Sequence, residues 1–172
     1  MKHRHRINAI PVAVLWLAGG GAVAQVAPAL PDALTSRGDV PVMTISATGV
    51  QVYECRANAG GAPEWVFKEP RAELFLDGRK VGRHYAGPTW EHEDGSLIRG
   101  KVAARMDAPR AGDIPWLRLD VASSEGVGVF GGIAVVQRIN TRGGALAGAC
   151  PTIGQVSERP YTSDYVMVRR SP

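Results

Sequence analysis

The residues whose types and spacing could support chemistry lie together in residues 82–96. This stretch holds two histidines, His84 and His92, an aromatic pair, and carboxylates that end in an Asp-Gly turn. A carboxylate that orients an imidazole raises its pKa and suits it to proton transfer. His84 with Glu91, or Glu91 with Asp94, are therefore the candidates for a catalytic acid and base. No nucleophile, metal or cofactor motif is completed here.

The register of a β-hairpin decides which of these side chains meet. If Gly87-Pro88 is a two-residue turn, His84 lies opposite Glu91 on one face, and Tyr85 lies opposite Trp90 on the other. An exposed cross-strand ion pair is common and has no catalytic effect, so we favour it over an acid–base pair. Strand alternation also sends the two histidines to opposite faces, and we predict no metal site.

The aromatic and polar side chains of this stretch, with one tryptophan from a later segment, are the candidates for a ligand-binding surface: His84, Tyr85, Trp90, Glu91 and Trp116. Aromatic rings could stack on a sugar, although core packing is the more common role of such residues. The glycine-rich residues 126–132 precede no helical pattern, so they do not form a dinucleotide-binding loop and we predict no cofactor. We expect these glycines to allow bulges inside a strand.

The elements that must position these side chains are short β-rich runs separated by turn residues, over residues 42–172. Asp77-Gly78 and Asp94-Gly95 are hairpin signals, since Asp-Gly adopts positive φ readily. Pro70 is expected to end one strand, and residues 127–140 form another apolar run. Because helical periodicity is missing, we predict an all-β fold, an antiparallel sandwich or small barrel of about eight or nine short strands.

The N-terminus predicts export. Residues 1–24 comprise three basic residues, an apolar glycine-rich run and a final Ala-Val-Ala. This order is typical of a secretory signal peptide cleaved near Ala24, and the run is too interrupted for a comfortable membrane span. An uncleaved anchor is the alternative. We expect a secreted or periplasmic protein without a stable span after cleavage, with residues 25–41 as an extended N-terminal arm and residues 42–172 as a single β domain.

The net charge limits the classes of partner that are expected, and the two cysteines limit the kinds of cross-link. Three of the 20 Lys and Arg residues lie in residues 1–24. After cleavage near Ala24 the chain would keep 17 Lys and Arg and 16 Asp and Glu residues, a net charge of +1. These bases are scattered, and we expect no nucleic-acid partner. Cys55 and Cys150 are far apart and belong to no CxxC motif. In an exported chain they predict one disulfide, with two free thiols or a metal pair as alternatives.

Several phrases occur in a fixed order along the chain: Gly49–Cys55, His84–Glu91 with Asp94–Ser96, Ile114–Leu117, Val136–Gly144, Cys150 and Tyr161–Tyr165. Together, from about residue 42 to residue 168, they resemble the domain-of-unknown-function family 3455. The resemblance implies an exported protein of bacteria or fungi that is built as a single domain. It supplies no activity and no catalytic residue.

These observations favour a binding or envelope-associated module over an enzyme, because no catalytic set is complete. The expected ligand is a glycan or another envelope component, bound around His84, Tyr85, Trp90 and Glu91. One alternative is an exported hydrolase that uses the acid–base candidates named above. Another alternative is a purely structural surface protein.

Overall fold

A computed structural model of the chain describes residues 30–171 and shows a closed antiparallel barrel of eight strands. The prediction of an all-β fold is confirmed. The predicted signal peptide, residues 1–24, lies outside the described residues. Each strand pairs with the next, and β1 pairs with β8 to close the ring. The strands are β1 Asp39–Ala57, β2 Pro63–Leu76, β3 Arg79–Tyr85, β4 Thr89–His92, β5 Leu97–Met106, β6 Trp116–Glu125, β7 Val135–Gly143 and β8 Val156–Arg170.

The longest strands contain prolines that were expected to interrupt them. Pro70 does not end β2, which continues to Leu76. β2 pairs with β3 only from Ala72 onward, so at Pro70 its one neighbour is β1. A residue without an N–H is tolerated where one edge of the strand is unpaired. β1 likewise starts at Asp39 and contains Pro41, so the last part of the predicted arm belongs to the barrel.

The connections of this up-and-down barrel alternate between its two ends. The β2–β3, β4–β5 and β6–β7 connections lie at one end, which we call the closed end. The loop of residues 126–134 covers it, with Phe130 and Ile133 only 1% and 4% exposed. The expected strand over residues 127–140 was therefore wrong in its first half, since β7 begins at Val135. The glycines of this segment fold a loop over the barrel instead of allowing bulges inside a strand.

The N-terminal segment covers part of the outer face of the barrel. After a 3₁₀ turn over Asp32–Leu34, Leu34 is fully buried in an apolar cluster on the outside of β7 and β8. Its carbonyl oxygen accepts hydrogen bonds from Gln137 Nε2 at 2.7 Å and Arg118 Nη1 at 3.3 Å. Arg118 also forms a buried ion pair with Asp39. β7 is thus buried on both faces.

The other end of the barrel, which we call the open end, carries the β1–β2, β3–β4, β5–β6 and β7–β8 connections. The predicted disulfide is confirmed: Cys55 at the end of β1 is bonded to Cys150 in the β7–β8 loop, with their Cα atoms 5.8 Å apart. The bond fastens this loop, residues 144–155, to the rim of the open end. Within residues 30–171 there is no helix that is long and apolar enough to cross a membrane.

Candidate functional site

The β3–β4 hairpin has a register one residue away from the predicted one. The turn comprises residues 86–88 rather than Gly87-Pro88 alone, and Gly87 adopts a φ of 114° that favours glycine. His84 is therefore paired with Trp90, and Glu91 is paired with Arg83. The prediction that His84 lies opposite Glu91 was wrong, because a turn longer by one residue shifts every cross-strand partner.

His84 and Trp90 point into the barrel. Their rings are stacked with centroids 4.6 Å apart, and the Tyr165 ring meets each of them edge-on at 5.0 and 5.3 Å. His84 Nδ1 lies 2.8 Å from the Thr89 carbonyl oxygen, which can only accept, so Nδ1 carries the proton. Burial lowers the pKa of His84 to about 3, and the nearby positive charge of Arg138 acts in the same direction. His84 is thus a neutral interior side chain.

Tyr85 and Glu91 lie on the outer wall of the same hairpin. The Tyr85 hydroxyl donates a hydrogen bond of 2.8 Å to Glu91, and the Arg83 guanidinium donates to both oxygens of that carboxylate. These hydrogen bonds, from Tyr85 first and Arg83 second, lower the pKa of Glu91. The sheet separates Glu91 from His84, so the two candidates do not form an acid–base pair.

The other two candidates of this stretch belong to the closed end. His92 is buried on the same interior face as His84, which differs from the prediction that the histidines lie on opposite faces. Hydrogen bonds from Ser96 and from the Val129 N–H hold the pKa of Asp94 well below its usual range. Asp94 therefore anchors the loop that covers the closed end. The described part of the chain contains no group of three or more potential metal ligands.

The predicted binding residues are divided among three places. His84 and Trp90 lie inside the barrel, whereas Tyr85 and Glu91 lie on its outer wall. Trp116, at the start of β6, packs with the outer cluster around Leu34. The five residues thus do not form one surface, and of these five it is the interior pair that borders the cavity inside the barrel, whereas Tyr85 and Glu91 border shallow depressions on the outer wall.

That cavity, which we call the inner cavity, lies inside the open end and has a volume of about 290 Å³. Its wall is mainly aromatic and aliphatic, and it includes Phe67, His84, Trp90, Leu119, Arg138 and Tyr165. It adjoins a wider recess of about 810 Å³ at the rim, the outer recess. Phe67, Val102, Leu117 and Arg138 border both spaces. A small molecule could therefore enter the barrel through the recess.

The disulfide holds one wall of the outer recess. Residues 145–147 of the β7–β8 loop line the recess. The same loop is bound to β2, with Trp65 N–H donating to the Gly148 oxygen at 3.0 Å and Cys150 N–H donating to the Pro63 oxygen at 3.3 Å. Tyr53 donates to the Gly144 oxygen at 2.8 Å. These bonds and the Cys55–Cys150 bridge fix the shape of the rim.

Arg138 is the cavity residue that the sequence analysis missed. It lies in the run Val-Val-Gln-Arg-Ile-Asn of β7, where the buried neighbours show no clean apolar–polar alternation because both faces of the strand are covered. A charged residue within this apolar run is a signal that could have drawn attention to Arg138, because charges are rarely placed among apolar side chains without a partner, but the run does not show which face of the strand it occupies.

A model of the family described as "Protein of unknown function (DUF3455)" matches residues 35–169. The match includes all but the ends of the described chain. Neither a curated protein nor a solved structure gives a significant match.

Proposed function

The chain belongs to the DUF3455 family, and we propose that it is an exported barrel that binds a small, largely apolar molecule in the inner cavity. The observation that carries this proposal is the unfilled space of about 290 Å³ inside an otherwise well-packed barrel. An eight-stranded barrel is just wide enough to be filled by side chains or to hold one small ligand. In this barrel side chains fill the closed end, whereas the open end contains the inner cavity.

The composition of the wall supports an apolar ligand. Apolar and aromatic side chains surround the cavity, with few polar groups among them, as is usual in small-molecule sites. Each Å² of apolar surface that a ligand buries contributes roughly 25 cal/mol to binding. A glycan would need many more hydrogen-bond partners than this wall offers. We therefore favour a small apolar ligand over the sugar expected from the exposed aromatic residues.

Two features support export. Residues 1–24 have the order of basic, apolar and small residues found in signal peptides. The Cys55–Cys150 disulfide is typical of proteins in oxidising compartments such as the periplasm or the extracellular space.

The binding proposal is tested by a thermal-shift screen of the purified protein against small alcohols, alkanoates, alkylamines and aromatic compounds. A ligand present at a hundred times its Kd adds about 2.7 kcal/mol to the free energy of unfolding, a readily measured shift. Leu117→Trp would occupy the space shared by the cavity and the recess and should remove the shift. Val127→Trp is the matched control, because Val127 is 95% exposed at the closed end.

A screen without any stabilising compound would contradict the proposal and favour a purely structural role. An equal shift for the wild type and Leu117→Trp would place the ligand outside the cavity. Turnover of an ester or glycoside by the wild type would instead revive the hydrolase alternative.

A further inference from the structure

Arg138 places a positive charge at the boundary between the inner cavity and the outer recess. It lies on β7 between Leu117 of β6 and Tyr165 of β8, its partners in the two ladders. All three side chains border the inner cavity, so Arg138 faces the interior of the barrel. Charged residues are rarely placed inside a barrel unless they are paired.

No acidic side chain in residues 30–171 forms an ion pair with Arg138. Arg118, the more buried arginine on the outer face, pairs with Asp39. Asp113, which borders the recess, already accepts from the Gly143 N–H and from Arg110. Asp107 also borders the recess but lies on its exposed rim. The guanidinium of Arg138 therefore borders the inner cavity without a charged partner among the described residues.

The hydrogen bonds of Arg138 leave one edge of its guanidinium available. Nε and Nη2 both donate to the Pro115 carbonyl oxygen, at 3.1 and 2.9 Å. These contacts use the side edge of the group and hold it in place. The end-on edge consists of Nη1 and the second N–H of Nη2, and no hydrogen bond from Nη1 to the described residues is present. This is an edge on which a carboxylate can accept two parallel hydrogen bonds.

Trp90, which borders the same cavity, carries a buried donor without a partner in residues 30–171. Its side chain is 1% exposed, and the indole Nε1–H has no hydrogen-bond partner in the described chain. A buried N–H without an acceptor is unfavourable, because it has lost its hydrogen bond to water. Both unsatisfied groups of the cavity are donors, so the missing partner must contribute acceptors.

We propose that the ligand is a small monocarboxylate whose carboxylate pairs with Arg138 and whose apolar body lies in the inner cavity between Trp90 and Leu119. This inference rests on the proposed function and adds the chemical class of the ligand. A fixed guanidinium edge next to an apolar wall selects an anionic head on an apolar body, and disfavours a neutral or cationic head on the same body.

The test uses three probes of equal chain length that differ in head group: octanoate, octan-1-ol and octylamine. Binding to the purified protein at pH 7 is measured by titration calorimetry. We expect octanoate to bind about tenfold or more tightly than the alcohol, as charge-assisted hydrogen bonds predict, and the amine to bind most weakly. Arg138→Met should weaken octanoate by a similar factor, to the level of the alcohol. Arg138→Lys should be intermediate.

Arg79→Met is the matched control, because Arg79 is the first residue of β3, at the closed end, and its loss should leave octanoate binding unchanged. An equal loss in this variant would mean that net charge, not Arg138, attracts the anion, and would overturn the inference.

If octanol binds as tightly as octanoate, the inference fails but the cavity function stands. If no probe binds and the wider screen is also negative, the proposed function fails with it. Should Arg138→Met not fold, the comparison of head groups on the wild type and on Arg138→Lys decides.

Discussion

At the closed end of the barrel, Asp94 accepts hydrogen bonds from the backbone of Ser96 and Val129, and Ser96 Oγ accepts from the Phe130 N–H. At the open end, by contrast, the end-on edge of Arg138 and the Trp90 N–H have no partner in the described chain. The same sheet thus ends in a satisfied polar network on one side and in unsatisfied donors on the other. Buried polar groups are normally paired, so the unpaired Trp90 N–H is a group that the proposed ligand would have to satisfy.

Local composition was a poor guide to the position of the site. His92 and Asp94, two of the residues first considered for chemistry, contact the loop that covers the closed end: the His92 ring packs against Phe130, and Asp94 accepts from the Val129 N–H. Gly128 shows how tightly this loop is seated, since a Cβ there would lie 2.3 Å from Asp94 Oδ2. The closed end therefore uses its polar side chains for stability, and the open end leaves its polar side chains available for binding.

The disulfide is expected to give the largest effect, because it cross-links two segments that are far apart in the sequence at the rim of the open end. Replacing both Cys55 and Cys150 by serine releases a cross-link between residues 95 positions apart. In the chain-entropy model a loop of that length contributes roughly 4–5 kcal/mol. We expect a loss of this order in urea unfolding, together with faster hydrogen exchange in residues 144–150. Reduced wild type is the control and should match the variant. A loss below about 1 kcal/mol would mean that hydrogen bonds alone hold the rim.

A matched pair of leucine truncations compares packing at the two ends. Leu74, which is fully buried near the closed end, should lose about 3–4 kcal/mol on Leu74→Ala, since the truncation leaves a new void. Leu117 is partly exposed and already borders the cavity, so Leu117→Ala should cost only about 1 kcal/mol. Urea unfolding of both variants measures the difference. Equal losses would show that the open end is packed as densely as the closed end.

His84 gives the open end a pH-dependent stability. The pKa of His84 is lowered to about 3 in the folded protein by burial, against 6.5 for the ordinary side chain. Between these values the unfolded chain binds more protons, so stability is fully present above pH 6.5 and is lost as the pH falls. The slope approaches about 1.4 kcal/mol per pH unit below pH 6, which gives a loss of about 2 kcal/mol between pH 7 and pH 5.

His84→Gln should flatten this dependence, because its amide can still donate to the Thr89 oxygen but does not titrate. Urea unfolding of both proteins at pH 7, 6 and 5 provides the measurement. The carboxylates with lowered pKa, such as Asp94 and Glu91, lose their contribution only at lower pH, below the usual carboxyl range. Parallel curves for the two proteins over pH 7 to 5 would contradict the buried, neutral state of His84.

Sequence patterns were enough to predict the all-β class, the Asp77-Gly78 and Asp94-Gly95 turns, and the cysteine pair. These features depend on local backbone preferences or on residue type. Register is different: one extra residue in the turn at 86–88 moved Glu91 from the partner of His84 to the partner of Arg83. Side-chain alternation has a period of two, so this single residue decides which candidates meet.

The site itself could not be predicted, because it depends on closure of the sheet. Arg138 of β7 and Trp90 of β4 border the same cavity only because the sheet closes into a ring, which brings β4 across the interior from β7 and β8. Nothing in the order of residues near Arg138 distinguishes the interior face of β7 from the face covered by Leu34. The position of the site therefore depends on how the barrel closes, and the spacing of residues along the chain does not show it.

The smallest effect is expected from Arg138→Met, and it is also the most discriminating for the comparison of the two ends. If Arg138 had a structural role like that of Arg118, its removal would orphan a buried carboxylate and cost several kcal/mol, roughly 3–5. In residues 30–171 Arg138 has no such partner, and its loss frees only the Pro115 oxygen. A methionine fills similar volume without charge in an apolar wall. We expect the free energy of unfolding of the ligand-free protein to change by less than about 1 kcal/mol in either direction.

Arg118→Met, measured beside it in urea, should be clearly less stable than the wild type because it leaves Asp39 buried and unpaired. Similar losses in both variants would show that Arg138 is held for stability, and the contrast between a satisfied and an unsatisfied end would no longer hold.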